Sequence, residues 1–174
     1  TVRFIHITDC HFTSEHSSQK TWERFCNFME RITTELPVVF LFITGDIAVR
    51  NKSHGYKCSK QFIPDLTRRL KLESDSVFIV PGNHDLNRSA AMALQCVTEK
   101  NLSELLAHPK SRKILEMSFE EYLETLVECG AASPFFVECI HTTKRKDVCI
   151  LLLNTAWLCR NSSLDRGKLS VCVN

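Results

Sequence analysis

A chain of 174 residues with 44% hydrophobic and 24% charged residues has the size and composition of one soluble globular domain, and a net charge of only +2 is too small to argue by itself for nucleic acid or membrane. Nine cysteines, at 10, 26, 58, 96, 129, 139, 149, 159 and 172, are odd in number and never closer than ten residues, which signals neither a disulfide scaffold nor a Cys-x-x-Cys zinc site. They read as reduced, mostly buried small hydrophobes, and with no signal-peptide pattern or long apolar span the expected location is cytoplasmic.

Val2 to Thr8 has the length and β-branched content of a strand and runs directly into Asp9, Cys10 and His11. Trp22, Phe25, Cys26, Met29, Ile32 and Leu36 follow at helical spacing, and Pro37 ends that helix. Val38 to Ile43 is an unbroken apolar run, a second strand buried on both faces, followed by Thr44, Gly45 and Asp46. After a polar loop at Arg50 to Ser53, the residues Tyr56, Phe62, Ile63, Leu66 and Leu70 predict a second helix, which Pro64 is expected to kink or restart. Lys57, Lys60, Arg68, Arg69 and Lys71 give it a basic, solvated face. Val77 to Val80 is the third buried strand, ending at Pro81, Gly82, Asn83, His84 and Asp85.

Asp9 to Asp46 is 37 residues, and Asp46 to Asn83 is 37 again. That interval suits a strand, a crossover helix and the next parallel strand. In open α/β sheets the carboxyl ends of parallel strands share one edge, where ligands bind. Periodicity and topology alone therefore predict one site containing Asp9, His11, Asp46, Asn83, His84 and Asp85.

Beyond Arg88 the pattern turns helical. Ala90 to Leu106 reads as one helix, Pro109 interrupts, and Ile114 to Val127 continues to a stop at Cys129 and Gly130, a helical insertion over about 88–130. Phe135 to His141 and Val148 to Asn154 predict a hairpin about the turn at Lys144 to Asp147, and Leu169 to Val173 predicts one more strand.

Aspartate, imidazole and amide ligands suit hard or borderline divalent ions such as Mn, Fe, Zn or Mg, and one aspartate on the middle strand can bridge two of them. Two ions ~3.5–4 Å apart form a clamp for in-line displacement at phosphorus. At these residues the chain resembles the calcineurin-like metallophosphoesterases: Thr8-Asp9-Cys10-His11, Gly45-Asp46-Ile47-Ala48 and Gly82-Asn83-His84-Asp85 look like that family's first three blocks, in order. Leu152 to Trp157 and Asp165 to Leu169 resemble later strands of its bacterial cyclic-nucleotide-phosphodiesterase-like branch, which includes domains joined to signalling ATPase modules. The resemblance covers Val2 to Val173. It implies an α/β/β/α sandwich in a single domain over 1–174, with parallel βαβαβ units in its N-terminal part.

Carried over by motif, Asp9 and His11 hold the first ion, Asp46 bridges both and Asn83 holds the second. His84 faces the scissile phosphate as general acid or charge stabiliser, and Asp85 orients its ring. Arg88 is a candidate for a phosphate oxygen, with a surface salt bridge as the alternative. His54 is a candidate border of the substrate cleft, with a solvent-facing loop position as the alternative. His6 reads as a packed, hydrogen-bonded side chain, His16 and His108 as exposed, His141 as the close of a strand and Cys10 as filler.

The family pattern continues with a further histidine and a Gly-His-x-His block, whereas this sequence has no histidine after His141. The expectation is a domain incomplete at its C-terminus, with an unfinished second sheet, exposed apolar sheet surface and weak turnover by the 174 residues alone. The implied activity is hydrolysis of a phosphate ester, a diester before a monoester and a cyclic nucleotide among the candidates, with no membrane partner. A nuclease is disfavoured by the near-neutral charge. A non-catalytic scaffold, or a sensor fused to a signalling or ATPase module, is the reading of another class.

Overall fold

The computed structural model describes residues 1–13, 16–49, 53–91, 97–131, 139–142 and 147–159. Three strands, β1 (Phe4–Thr8), β2 (Phe40–Thr44) and β3 (Val77–Val80), form a parallel sheet in that order. Two helices, α1 (His16–Glu35) and α2 (Ser53–Arg69), make the crossovers. The class is α/β, with the parallel βαβαβ units the sequence predicts. Register matters most for the site: Thr8 pairs with Thr44 and Thr44 with Val80, so the three strands end level.

Alternation along the strands sorts their side chains onto two faces. Ile5, Leu41, Ile43, Val77 and Ile79 join a core with Cys26 of α1 and with Tyr56, Phe62, Ile63 and Leu66 of α2. Phe12, Trp22 and Phe62 close that core toward the helices, their ring centroids 4.7–5.1 Å apart. Arg69 ties α2 to α1, its guanidinium reaching Glu23 at 2.8 Å and Asn27 at 2.5 Å while Asp65 holds its Nε at 2.8 Å. Of the apolar repeat, Trp22, Phe25, Cys26 and Met29 pack on the core, while Ile32 and, just past the helix, Leu36 are exposed.

Pro64 does not restart α2, which runs through it. An interior proline costs about 3 kcal/mol or more in lost hydrogen bonding and ring clash. Tyr56, Ile63 and Leu66 on the same helix are fully buried, at roughly 1.5–3 kcal/mol for each aliphatic side chain, which is enough to offset it.

The other face of the sheet carries Phe40, Phe42 and Phe78, with Phe42 stacked on Phe78 at 5.4 Å. The predicted hairpin lies there, as β4 (Cys139–Thr142) paired antiparallel to β5 (Cys149–Leu152), and Ile150 and Leu152 cluster with Phe40 and Phe78. Phe4 and Leu151 remain exposed. The strand expected at Leu169 to Val173 lies outside the described residues.

Between β3 and the hairpin come α3 (Arg88–Ala91), α4 (Glu99–Ala107), α5 (Pro109–Met117) and α6 (Glu120–Cys129). The expected helix from Ala90 to Leu106 is not continuous. Thr98 is extended and caps α4, its N–H donating to Asn101 Oδ1 at 2.7 Å, a capping-box arrangement that starts a helix anew. Pro109 begins α5, where a missing N–H is harmless. Gly130, at φ +62°, ends α6, with its own N–H and that of Ala131 donating to Val127 and Leu126. Tyr122 of α6 donates its hydroxyl to the Ile79 carbonyl at 2.9 Å and so anchors the helices to β3. Among the described residues, no helix is long and apolar enough to cross a membrane.

Candidate metal centre

Because the strands end level, the residues after them share one rim, and the backbone there is unusual. Asp9, His11 and Asp46 have positive φ, at +53°, +46° and +47°. Among the described non-glycine residues only Lys71 joins them. Aspartate and histidine tolerate this left-handed region better than most residues, yet each such position still costs about 1 kcal/mol or more. The turns bend the chain so that pairing continues past the strands: the His11 N–H donates to the Asp46 carbonyl at 2.9 Å and that of Phe12 to Ile47 at 2.8 Å.

Asp9, His11 and Asp46 each present a ligand atom, all within 4.8 Å of one another. His11 Nε2 lies 3.9 Å from Asp9 Oδ1 and 3.8 Å from Asp46 Oδ2, too far for hydrogen bonds. Two ligands each about 2.1 Å from one ion stand at most about 4.2 Å apart, so these spacings suit a shared divalent cation. Asp46 is mostly buried, while the side chains of Asp9 and His11 are 61% and 40% exposed, leaving the site open on one side.

The turn after β3 completes the rim. A Cβ on Gly82 would sit 2.3 Å from both the amide nitrogen and Oδ1 of Asp46, so only glycine allows the approach. The His84 N–H donates to Asp46 Oδ1 at 2.9 Å, and the His84 ring meets the His11 ring edge-on, with centroids 5.0 Å apart. Asn83 is half-buried between Gly82 and His84 on this turn. Asp9, His11, Asp46 and the turn bearing Asn83 and His84 are thus brought together.

Asp85 departs from its expected position. It is fully buried, and its carboxylate accepts the Gly82 N–H and the Tyr56 hydroxyl at 2.8 Å each, with the Ile47 and Ala48 N–H groups at 3.1 and 3.3 Å. The carboxylate is thus spent on backbone amides and a phenol, none of them the His84 ring. Burial pushes the Asp85 carboxyl up to about 6, against the downward pull of these bonds. Burial and the Asp85 charge push the Tyr56 phenol up, which keeps it the donor.

Arg88 is exposed at the start of α3, and His54 is exposed in the first turn of α2; neither belongs to the three-residue cluster. His54 precedes Gly55, where a Cβ would meet the Phe12 carbonyl at 2.5 Å, so this end of α2 abuts the loops. Cys10 is buried, and burial, then the charges of Asp85 and Asp9, push its thiol up to about 12, which fits filler and not a nucleophile. His6 is hydrogen-bonded, its Nε2 2.6 Å from Thr44 Oγ1, but exposed on the outer sheet face instead of packed. His108 is exposed as expected, and the side chains of His16 and His141 fall outside the described residues.

Two residues of this neighbourhood escape the sequence reading. Thr8 Oγ1 lies 2.5 Å from Asp9 Oδ2 and 2.6 Å from the Thr44 carbonyl, and the available signal was a hydroxyl directly before the first aspartate. Tyr56 was visible only as a member of an apolar helix stripe; its hydroxyl was the signal.

The family model for calcineurin-like phosphoesterases matches residues 2–148. A metallophosphoesterase-like protein of Bacillus subtilis (strain 168) is 26% identical over 128 residues, covering 73% of this chain and 25% of that protein. A protein of Coxiella burnetii, described as a probable cyclic nucleotide phosphodiesterase, is 30% identical over 86 residues, covering 48% of this chain and 32% of that one. The matched part of this chain thus spans a quarter to a third of the length of these relatives.

Proposed function

Since the chain belongs to the calcineurin-like phosphoesterase family, we propose that it is a metal-dependent phosphoesterase acting on a phosphodiester. The observation that carries this reading is the cluster of Asp9, His11 and Asp46, three groups distant in sequence held at ligand spacing by left-handed turns. Asp9 and His11 would hold one ion, Asp46 would serve both and Asn83 would hold the second, with Mn, Fe or Zn fitting the donor set. Such ions, when bound, lower the pKa of a water and neutralise phosphate oxygens.

The chain's own groups do the rest. His84 stands at the rim against His11, where its imidazole holds a proton for the leaving alkoxide or steadies charge on the phosphate. Asp46 is held by the His84 N–H through Oδ1, leaving Oδ2 turned toward His11. His54 and Arg88 are candidates to meet the remainder of the substrate. The likeness to the Coxiella protein, a probable cyclic nucleotide phosphodiesterase, supports a cyclic nucleotide as that substrate.

The test is Mn-dependent hydrolysis of bis(p-nitrophenyl) phosphate by the full-length protein, with Asp46→Ala and His84→Ala expected to abolish it. Activity indifferent to both substitutions would refute the assignment. The alternative is a non-catalytic binding, scaffold or sensor module on the same fold. In that case partner binding unchanged in Asp46→Ala, with no hydrolysis, is the expected result.

A further inference from the structure

Asp46 has the most demanding position at the site: it is nearly buried, left-handed in backbone, and assigned to both ions. Its surroundings show what keeps it there. Its Oδ1 accepts the amide of His84 from the turn after β3. In return, the carboxylate of Asp85, on that same turn, accepts the amides of Ile47 and Ala48, the two residues that follow Asp46. Each loop thus supplies a carboxylate to the other loop's backbone. Asp85 is fixed in turn by the Gly82 N–H from its own turn and by the Tyr56 hydroxyl from α2.

From this geometry we infer that Asp85 and Tyr56 form a buried latch that positions Asp46 for metal, making both of them positioning residues of the phosphoesterase site. The inference rests on the metal-site reading above and adds to it a role for two residues that hold no ion and touch no substrate. A carboxylate bound to the peptide after Asp46 fixes the plane of that peptide, and with it the direction in which the Asp46 side chain leaves the backbone. Tyr56 supplies the side-chain donor. Without its hydroxyl, Asp85 Oδ1 retains only the longer amide contacts, at 3.1 and 3.3 Å, and the carboxylate gains freedom to turn. Groups that orient a metal ligand typically matter by 10–100-fold in affinity.

Tyr56→Phe is the sharpest test, because it removes one oxygen and leaves the ring packing in place. Mn2+ affinity is measured by titration calorimetry and by the Mn2+ resonance spectrum on the full-length protein, at a temperature where circular dichroism shows each variant folded. Tyr56→Phe is expected to weaken Mn2+ binding about tenfold or more. Asp85→Asn, where it folds, is expected to weaken it at least as far. A role confined to folding would lower the melting temperature and leave the affinity of the folded protein alone. Wild-type affinity in folded Tyr56→Phe overturns the latch while the metal reading stands, provided Asp46→Ala loses binding. A wild-type protein that takes up no Mn2+ overturns the phosphoesterase reading and the latch with it.

Discussion

Gly82 carries the most severe close approach at the site, and Gly82→Ala should separate loss of the site from loss of the fold. The added methyl would lie 2.3 Å from Asp46 N and Oδ1 and 2.7 Å from the Gly45 Cα. Ordinary contacts of this kind begin near 3.4 Å, so one loop must retreat from the other by about 1 Å, an overpacking that costs roughly 1–3 kcal/mol. For a domain of this size that is about 2–12 °C in Tm. A retreat of about 1 Å at the bridging ligand is expected to lower activity about a hundredfold, far more than the stability loss accounts for. Gly130→Ala is the control. It sits at φ +62° with its nearest outside atom 3.5 Å away, so it should cost about 1 kcal/mol of backbone strain and leave Mn2+ binding untouched. Melting curves and Mn2+-dependent phosphodiester hydrolysis of both variants decide the matter. Activity in Gly82→Ala within twofold of wild type would refute the claim that the two loops are pressed together around Asp46.

Thr8→Val should weaken Mn2+ about tenfold in calorimetry by freeing the Asp9 carboxylate, whereas Thr8→Ser, which keeps the hydroxyl, should bind nearly as wild type. Cys10 should resist alkylation in the folded protein, being buried with its thiol pushed up to about 12, while exposed Cys149 reacts; mass spectrometry after brief iodoacetamide treatment reads both. Mn2+ at a hundred times its dissociation constant should stabilise the fold by about 2.7 kcal/mol, seen as a rise in Tm that a chelator reverses and that Asp46→Ala lacks.

The parallel half of the fold was legible because strands buried on both faces leave unbroken apolar runs, as at Val38 to Ile43, and because two equal intervals set Asp9, Asp46 and Asn83 at corresponding strand ends. The convergence of the ligands then follows from topology. The side of the rim to which each group turns does not. Asp85 neighbours His84 in sequence, yet on a tight turn adjacent side chains diverge, and the donors that capture Asp85 come from 38 residues back at Ile47 and 29 back at Tyr56. Pro64 and Thr98 show the same limit from opposite directions. At Pro64 tertiary burial overrides a local rule against helix; at Thr98 a local capping signal divides what composition presents as one helix.

The positive φ angles bear on how the site works. Asp9, His11 and Asp46 together store roughly 3–9 kcal/mol of backbone strain, a large share of the 5–15 kcal/mol that holds a typical domain folded. Such a sum persists only where other interactions fix the loops: the level strand ends, the continued pairing of His11 and Phe12 with the next loop, and the exchange of amides between the loops of Asp46 and Asp85. Each of these contacts is made by the protein alone. Substitutions at residues that never meet an ion, such as Asp85 and Tyr56, should therefore register first as lost metal affinity.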